Sequence, residues 1–212
     1  GGGGGKEGDG GDGAQGCIVI IWSQEAGEVI VPIATLAIHA AVTSTATTIV
    51  IPSTVIAGDV LVLLDYTADS ALVTPPGFTE AASSAGAVGD NSGLSYKLAT
   101  ALDAGQTLTG STGSLMNKIL LVFRADVPAN TISVGFSDGE GSDVAPAEQN
   151  IPAAVGTAPL IVFAAYSCFG SGTPVIDPRT FSPAKDDEET VSANVIFVGA
   201  TSWLAYKIYN SA

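Results

Sequence analysis

The chain has 212 residues, only 13% of them charged, and 21 acidic residues against 7 basic ones give a net charge of −14. Binding to nucleic acid or to an anionic membrane surface needs clustered basic side chains, and here they are scattered singly. The longest apolar run is far shorter than the roughly 20 residues of a membrane-spanning helix. Nucleic acid and membrane insertion are therefore not expected.

Residues 1–16 (GGGGGKEGDGGDGAQG) are glycine-rich and contain no large apolar side chain. Alone, such a segment buries too little surface to offset the entropy lost when glycine is ordered. It is either a flexible linker or a stem that packs only against neighbouring chains, without the strict glycine period of collagen. An opening run of five glycines also suggests the trailing piece of something longer.

The rest of the chain, residues 17–212, is predicted to form one antiparallel β-sandwich, jelly-roll-like, with no convincing helix. Residues 17–22 (CIVIIW) form a short, continuous apolar run, which is typical of a strand covered on both faces. Eleven prolines then divide the sequence at intervals too short for long helices. Between them lie runs rich in β-branched and aromatic residues, which we predict to be strands: 33–42, 47–51, 60–66, 94–98, 106–109, 119–123, 131–136, 160–166, 191–198 and 203–209.

An internal repeat relates the two parts of this domain. Residues 51–79 begin with Ile-Pro, continue through GDVLVLLDY and end in TPPGFT, and residues 151–181 follow the same order. Each segment is followed by a similar strand, GLSYKL at 93–98 and WLAYKI at 203–208. We expect two similar halves, about 33–125 and 131–212, related by a pseudo-twofold axis.

The residues that carry chemistry are sparse, and we expect neither an enzyme nor a cofactor. The only histidine, His39, lies on a strand flank, where a structural role is the usual one. The phosphate-binding motifs, G-x-G-x-x-G before a helix and the Walker loop, are missing. A glycosidase pair drawn from Asp65, Asp69, Asp90 or Asp103 remains an alternative, although nothing marks two of them as partners.

One acidic segment is a weak calcium candidate. Asp138, Glu140 and Asp143 alternate with small residues in the sequence DGEGSD, and their oxygens suit a hard cation. The segment lacks the downstream glutamate and the helices of an EF-hand, so a solvated loop is favoured. A second acidic run at 186–189 is expected to lie on a surface loop.

The two cysteines, Cys17 and Cys168, are far apart in sequence and form no metal motif. Two buried thiols are favoured over one disulfide.

Two long inter-strand segments, 67–92 and 168–189, are the candidates for surface binding. They carry Phe78, Phe169 and Phe181 among small polar residues, which would suit contacts with a saccharide or a protein. The alternative is that each ring folds back into its own half of the core, and this is favoured because Phe78 and Phe181 occupy corresponding positions in the repeat.

Several segments resemble virion proteins of tailed bacteriophages. The sequence GGDGAQGCIVIIW is similar to the glycine-rich segments of tail-fibre and minor tail proteins, and GDVLVLLDYT, TPPGFT, LSYKLAT and KILLVFR resemble β-sandwich domains of phage fibres. The resemblance implies a virion structural protein on the particle surface. It would be trimeric, in contact with other virion proteins, and able to bind host-surface glycan at a distal tip.

Two other functions remain open. One is a capsid decoration or head-fibre protein, which differs from a tail fibre in its location on the particle. The other is a carbohydrate-binding module or a glycan-active enzyme. The low charge content also favours burial of part of the surface against identical copies.

Overall fold

A computed structural model describes residues 14–23, 35–85, 91–126, 131–140, 160–171, 185–195 and 198–210. Within these ranges the chain forms strands and turns and no helix, which confirms the predicted all-β class. The strands are β1 Ala14–Ser23, β2 Leu36–Ser44, β3 Thr48–Val50, β4 Val60–Ala68, β5 Thr79–Ala85, β6 Asn91–Leu98, β7 Thr107–Thr109, β8 Leu115–Ala125, β9 Thr131–Glu140, β10 Leu160–Ser171, β11 Asp187–Val195 and β12 Val198–Tyr209.

The strands form two antiparallel five-stranded sheets and one small sheet. The front sheet has the order β2-β8-β4-β6-β5, and the back sheet has the order β11-β12-β10-β1-β9. The small sheet pairs β3 with β7. The antiparallel β-sandwich predicted from the sequence is thus confirmed.

The inter-sheet core joins the two large sheets. At its centre the ring of Phe123 on β8 packs edge-on against Phe163 of β10 and Tyr206 of β12, with ring centroids 5.4 and 5.1 Å apart. Such edge-to-face pairs add stabilisation to the burial of the rings themselves. Aliphatic side chains of β4, β8, β10 and β12 complete this core.

Strand β4 is buried on both faces, as its unalternating sequence predicts. All nine residues are buried. Val62 and its alternate neighbours contribute to the inter-sheet core, whereas Leu61 and Leu63 pack against a second cluster on the opposite face. That second cluster includes Ile49 and Leu108 from the small sheet. The small sheet therefore adds a third layer over the outer face of the front sheet.

Two segments predicted as loops are partly strands. Residues 79–85 form the edge strand β5, although their sequence TEAASSA has little β-propensity, because they pair with β6. Residues 187–189 begin β11, so the prediction of a surface loop for the acidic run is wrong. Lysines neutralise part of this run: Lys207 Nζ lies 2.6 Å from Asp186 Oδ1, and Lys185 pairs with Glu188.

The segments aligned by the repeat pair in the same way in the two large sheets. In the front sheet β4 pairs with β6, which holds the first Tyr-Lys sequence, and in the back sheet β10 pairs with β12, which holds the second. The pseudo-twofold relation stays a prediction. The first thirteen residues of the predicted stem lie outside the described residues, and residues 14–16 begin β1.

The register of the back sheet separates the two cysteine positions. Cys17 on β1 is opposite Ala164 on β10, four residues from Cys168. At about 3.3 Å per residue this offset is roughly 13 Å along the strand. A disulfide requires Cα atoms within about 7 Å, so this register favours the two thiols.

Candidate binding platform

The loop platform consists of residues 69–75, which follow β4, and residues 110–114, which precede β8. The two segments lie side by side because β4 and β8 are antiparallel neighbours and Ala68 at the end of β4 pairs with Leu115 at the start of β8. Rigid strands that position loops in this way are a common arrangement for binding surfaces.

The platform rests on a buried ion pair. Asp65 of β4 and Lys118 of β8 are cross-strand partners, and Lys118 Nζ lies 2.6 Å from Asp65 Oδ1. Lys118 is 0% exposed and Asp65 is 4% exposed. Charges so far from water persist only when they are paired and hydrogen-bonded, so each group depends on the other.

Ser111 connects this ion pair to both loops. Its backbone N–H donates to Asp65 Oδ2 at 2.9 Å, and its carbonyl oxygen accepts a hydrogen bond from Lys118 Nζ at 3.3 Å. Its hydroxyl oxygen accepts a hydrogen bond from the backbone N–H of Val73 at 2.8 Å. Ser111 thereby fixes its own loop, residues 110–114, to the strands. It also fixes the loop of residues 69–75 to this loop.

Glycine at position 110 permits this close approach. A Cβ atom there would lie 2.4 Å from Asp65 Oδ2 and 2.9 Å from Lys118 Nζ, closer than real Cβ contacts. The absence of a side chain at Gly110 lets the backbone close over the ion pair.

Hydroxyl groups hold the outer part of the platform. The Thr67 hydroxyl donates to the carbonyl oxygen of Thr112 at 3.1 Å and lies 2.8 Å from the hydroxyl of Ser70. Asn91 Nδ2 donates to the Ser70 carbonyl oxygen at 2.6 Å. These contacts tie the turn after β4 to the second loop and to β6.

Asp69 has the only positive φ of a non-glycine residue in the described part of the chain, at 67°. Aspartate tolerates this left-handed conformation better than most residues. Ser114 stabilises the carboxylate, because its hydroxyl donates to Oδ2 at 2.5 Å and its backbone N–H donates to Oδ1 at 3.2 Å. These hydrogen bonds hold the pKa of Asp69 below its ordinary value. The platform therefore presents a fixed carboxylate.

The outer surface of the platform combines polar groups with one aliphatic side chain. Asp69, Thr112 and Ser114 are exposed, and Val73 is 50% exposed. Hydroxyl and carboxylate oxygens can exchange hydrogen bonds with a polyhydroxylated ligand, while an aliphatic side chain can cover its apolar face.

The platform differs from the surface predicted around the phenylalanines. Phe78 is buried in the second cluster, and Lys97 Nζ lies 6.0 Å from its ring centroid. Lys97 is itself paired with Asp103, with 2.5 Å between Nζ and Oδ1. The ring of Phe78 thus folds back into the core. Phe169 lies on β10 with only its backbone described, and Phe181 lies outside the described residues.

The calcium candidates are only partly described. Asp138 and Glu140 belong to β9, where their backbones pair with Gly16 and Ala14 of β1. They are therefore in a strand and not in the predicted loop, and Asp143 lies outside the described residues. No group of three His, Cys, Asp or Glu side chains that could hold a metal ion is found in the described part of the chain.

The remaining candidates from the sequence have separate partners. His39 Nε2 lies 2.9 Å from the Thr54 hydroxyl at the bulge of β2. Asp65, Asp69 and Asp103 bind three different partners, Lys118, Ser114 and Lys97 respectively, and Asp90 lies outside the described residues.

Sequence reasoning pointed to residues 67–92, which contain the first platform loop, but it missed the second loop and the ion pair because Ser111, Lys118 and Gly110 belong to no motif. The weak signal was the single polar residue Asp65 inside the apolar run VLVLLDY. A buried aspartate on a central strand requires a partner, and only the strand register identifies Lys118.

Comparisons of the chain with protein-family models, curated proteins and solved structures gave no match. In the described ranges there is no helix of the length and apolarity needed to cross a membrane.

Proposed function

We propose that this chain is a non-catalytic β-sandwich module of a bacteriophage tail fibre or spike, which assembles as a homotrimer on the virion and binds host-surface glycan. The virion assignment rests on the resemblance of GGDGAQGCIVIIW and of the strand segments to phage fibre proteins. The glycan-binding role is assigned to the loop platform.

The observation that carries the binding role is the rigid attachment of the two loops. Their contacts converge on the buried Asp65–Lys118 pair and on Ser111, which leaves polar groups and Val73 on the outside. A preorganised surface loses little conformational entropy when it binds. Such a surface suits a polar ligand such as a saccharide, which offers many hydroxyl groups and few large apolar areas.

A glycan array of bacterial surface polysaccharides tests the binding role. We expect the purified chain to bind a subset of the glycans and Val73→Asp to abolish that binding, because a carboxylate would replace the aliphatic side chain of the platform. Leu102→Asp is the matched control, since Leu102 is 83% exposed and lies in a different loop, between β6 and β7. Equal binding by both variants would reject the platform as the glycan site.

Immunogold labelling of intact particles with an antibody against this chain tests the virion role independently. Labelling of the tail or its fibres is expected. Labelling of the head would favour the capsid decoration or head-fibre alternative, and unlabelled particles would reject a virion protein exposed to the antibody.

A further inference from the structure

Strand β2 is an edge strand that is fixed at both ends. Among the described strands it pairs only with β8. At its start the backbone N–H of Leu36 donates to Asn210 Oδ1 at 2.7 Å, and Asn210 Nδ2 donates back to the Leu36 carbonyl oxygen at 3.1 Å. Near its end the Ser44 hydroxyl donates to the Thr48 carbonyl oxygen at 2.7 Å. Both ends of this edge strand are therefore held by hydrogen bonds.

Three side chains of β2 lie on the core-facing side of the front sheet and are nevertheless exposed. Cross-strand partners share a face of a sheet. Ile38, Ala41 and Thr43 pair with residues that are fully buried in the inter-sheet core, namely Phe123, Leu121 and Ile119. Ile38 is 37% exposed, and Ala41 and Thr43 are also exposed. We call Ile38, Ala41 and Thr43 the uncovered corner.

The uncovered corner begins where the back sheet stops covering β2. Leu36 lies on the same side and is 3% exposed, because it belongs to the inter-sheet core. The bulge between Ile38 and Ala40 follows directly. Within the described ranges, the core-facing positions beyond Leu36 are therefore exposed.

The same edge contains no carboxylate, lysine or arginine. The sequence of β2, LAIHAAVTS, contains no Asp, Glu, Lys or Arg, whereas the other long edge strands of the described sheets do. Their acidic residues are Glu80 in β5, Asp138 and Glu140 in β9, and Asp187, Glu188 and Glu189 in β11. Charged side chains on edge strands oppose pairing with other chains. A chain of net charge −14 meets another copy with least repulsion where carboxylates are missing.

We propose that a neighbouring copy of this chain covers the uncovered corner of β2, which makes this edge an oligomer contact; the inference rests on the homotrimer proposed above. A second copy is the fitting occupant because β2 contains no carboxylate, so two chains that each carry a net charge of −14 repel each other least at this edge.

Sedimentation velocity on the full chain tests the contact with two matched variants. Ala41→Glu places a carboxylate in the uncovered corner, and Ser83→Glu places one at an exposed position of the opposite edge strand, β5. We expect a trimer for the wild type and for Ser83→Glu, and a threefold lower mass for Ala41→Glu. Thr43→Glu repeats the test if Ala41→Glu fails to fold by circular dichroism.

Failure of the inference can be distinguished from failure of the trimer. A trimeric Ala41→Glu variant overturns the corner as the contact and leaves the trimer intact. A monomeric wild type overturns both. A wild-type dimer that Ala41→Glu dissociates retains the contact and overturns the trimer.

Discussion

Asp65 and Lys118 face each other across β4 and β8, with 2.6 Å between carboxylate and ammonium, in a site from which water is excluded. Each charge leaves water only because the other is there, and the backbone of Gly110 and Ser111 closes the site. The ion pair therefore couples the stability of the front sheet to the position of the platform loops.

Removal of one charge of this pair should lower the free energy of unfolding far more than removal of both charges. Lys118→Met leaves the Asp65 carboxylate buried and unpaired, and we expect a loss of about 3–5 kcal/mol in the free energy of unfolding. The double variant Lys118→Met, Asp65→Leu should recover most of that loss, because no uncompensated charge remains. Urea unfolding measures both. Equal losses in the single and double variants would show that the charges do not depend on each other.

Gly110→Ala should destabilise the domain through a steric clash. The new Cβ atom would lie 2.4 Å from Asp65 Oδ2, so the loop backbone or the ion pair must move, at a cost of about 1–3 kcal/mol. Gly105→Asn is the control: its φ is +73°, a conformation that asparagine tolerates, and nothing lies within 4 Å of a Cβ atom there. The melting temperatures of the two variants provide the comparison. A similar decrease in both would show that a clash at position 110 is not the cause.

Substitution of the two neighbouring glutamates on β11 should change the stability of the protein in opposite directions at pH 7. Burial, with a smaller effect of Asp187, raises the pKa of Glu189 above 4.5. When folding raises the pKa of an acid, the stability that the acid contributes is present at pH values below its pKa in the unfolded chain. This stability is lost as the pH rises through its pKa in the folded protein. Glu189→Gln should therefore stabilise the protein at pH 7, and the gain should disappear near pH 4.

Glu188 is the matched comparison. Burial raises its pKa, but hydrogen bonds from Lys185 and Trp203 outweigh burial, so the net pKa is lowered. The stability that Glu188 contributes is present at pH values above its pKa in the unfolded chain. It is lost as the pH falls through its pKa in the folded protein. Glu188→Gln should therefore destabilise the protein at pH 7. Urea midpoints at pH 7 and pH 4 distinguish the two residues, and a shift of the same sign for both at pH 7 would contradict the assignment.

Leu63→Asp should unfold the domain. Leu63 is completely buried in the cluster beneath the small sheet, where an unpaired carboxylate has no partner. Leu102→Asp makes the same change at an exposed leucine and should alter stability by no more than about 0.5 kcal/mol. An unchanged melting temperature for Leu63→Asp would contradict the two-sided burial of β4.

The strands with strong local signals were predictable from the sequence. The predicted strand at 60–66 became β4, Val60–Ala68, and the predicted strand at 94–98 became the end of β6, Asn91–Leu98. Their apolar side chains are needed in the core whichever strands they pair with. By contrast, β5 was missed, because its alanines and serines owe their conformation to pairing with β6 and not to their own preferences.

The candidate site was much less predictable than the fold. Asp65 and Lys118 are 53 residues apart, and their contact depends on which strands are neighbours and in which register. Sequence patterns give the face of a strand but not its partner, so the burial of Lys118 could not be foreseen. The phenylalanine positions illustrate the same limit: the repeat favoured a core position for Phe78 over a surface role, and the packing of its ring decides between them.

The position of β1 has a consequence for synthesis of the chain on the ribosome. It is the first of the described strands in sequence, yet its neighbours in the back sheet are β9 and β10, which are translated more than a hundred residues later. All five strands of the front sheet lie within residues 36–125 and can pair as soon as they emerge. The apolar segment CIVIIW is therefore made well before its partner strands, and an apolar strand without its partners is the kind of segment that aggregates during folding.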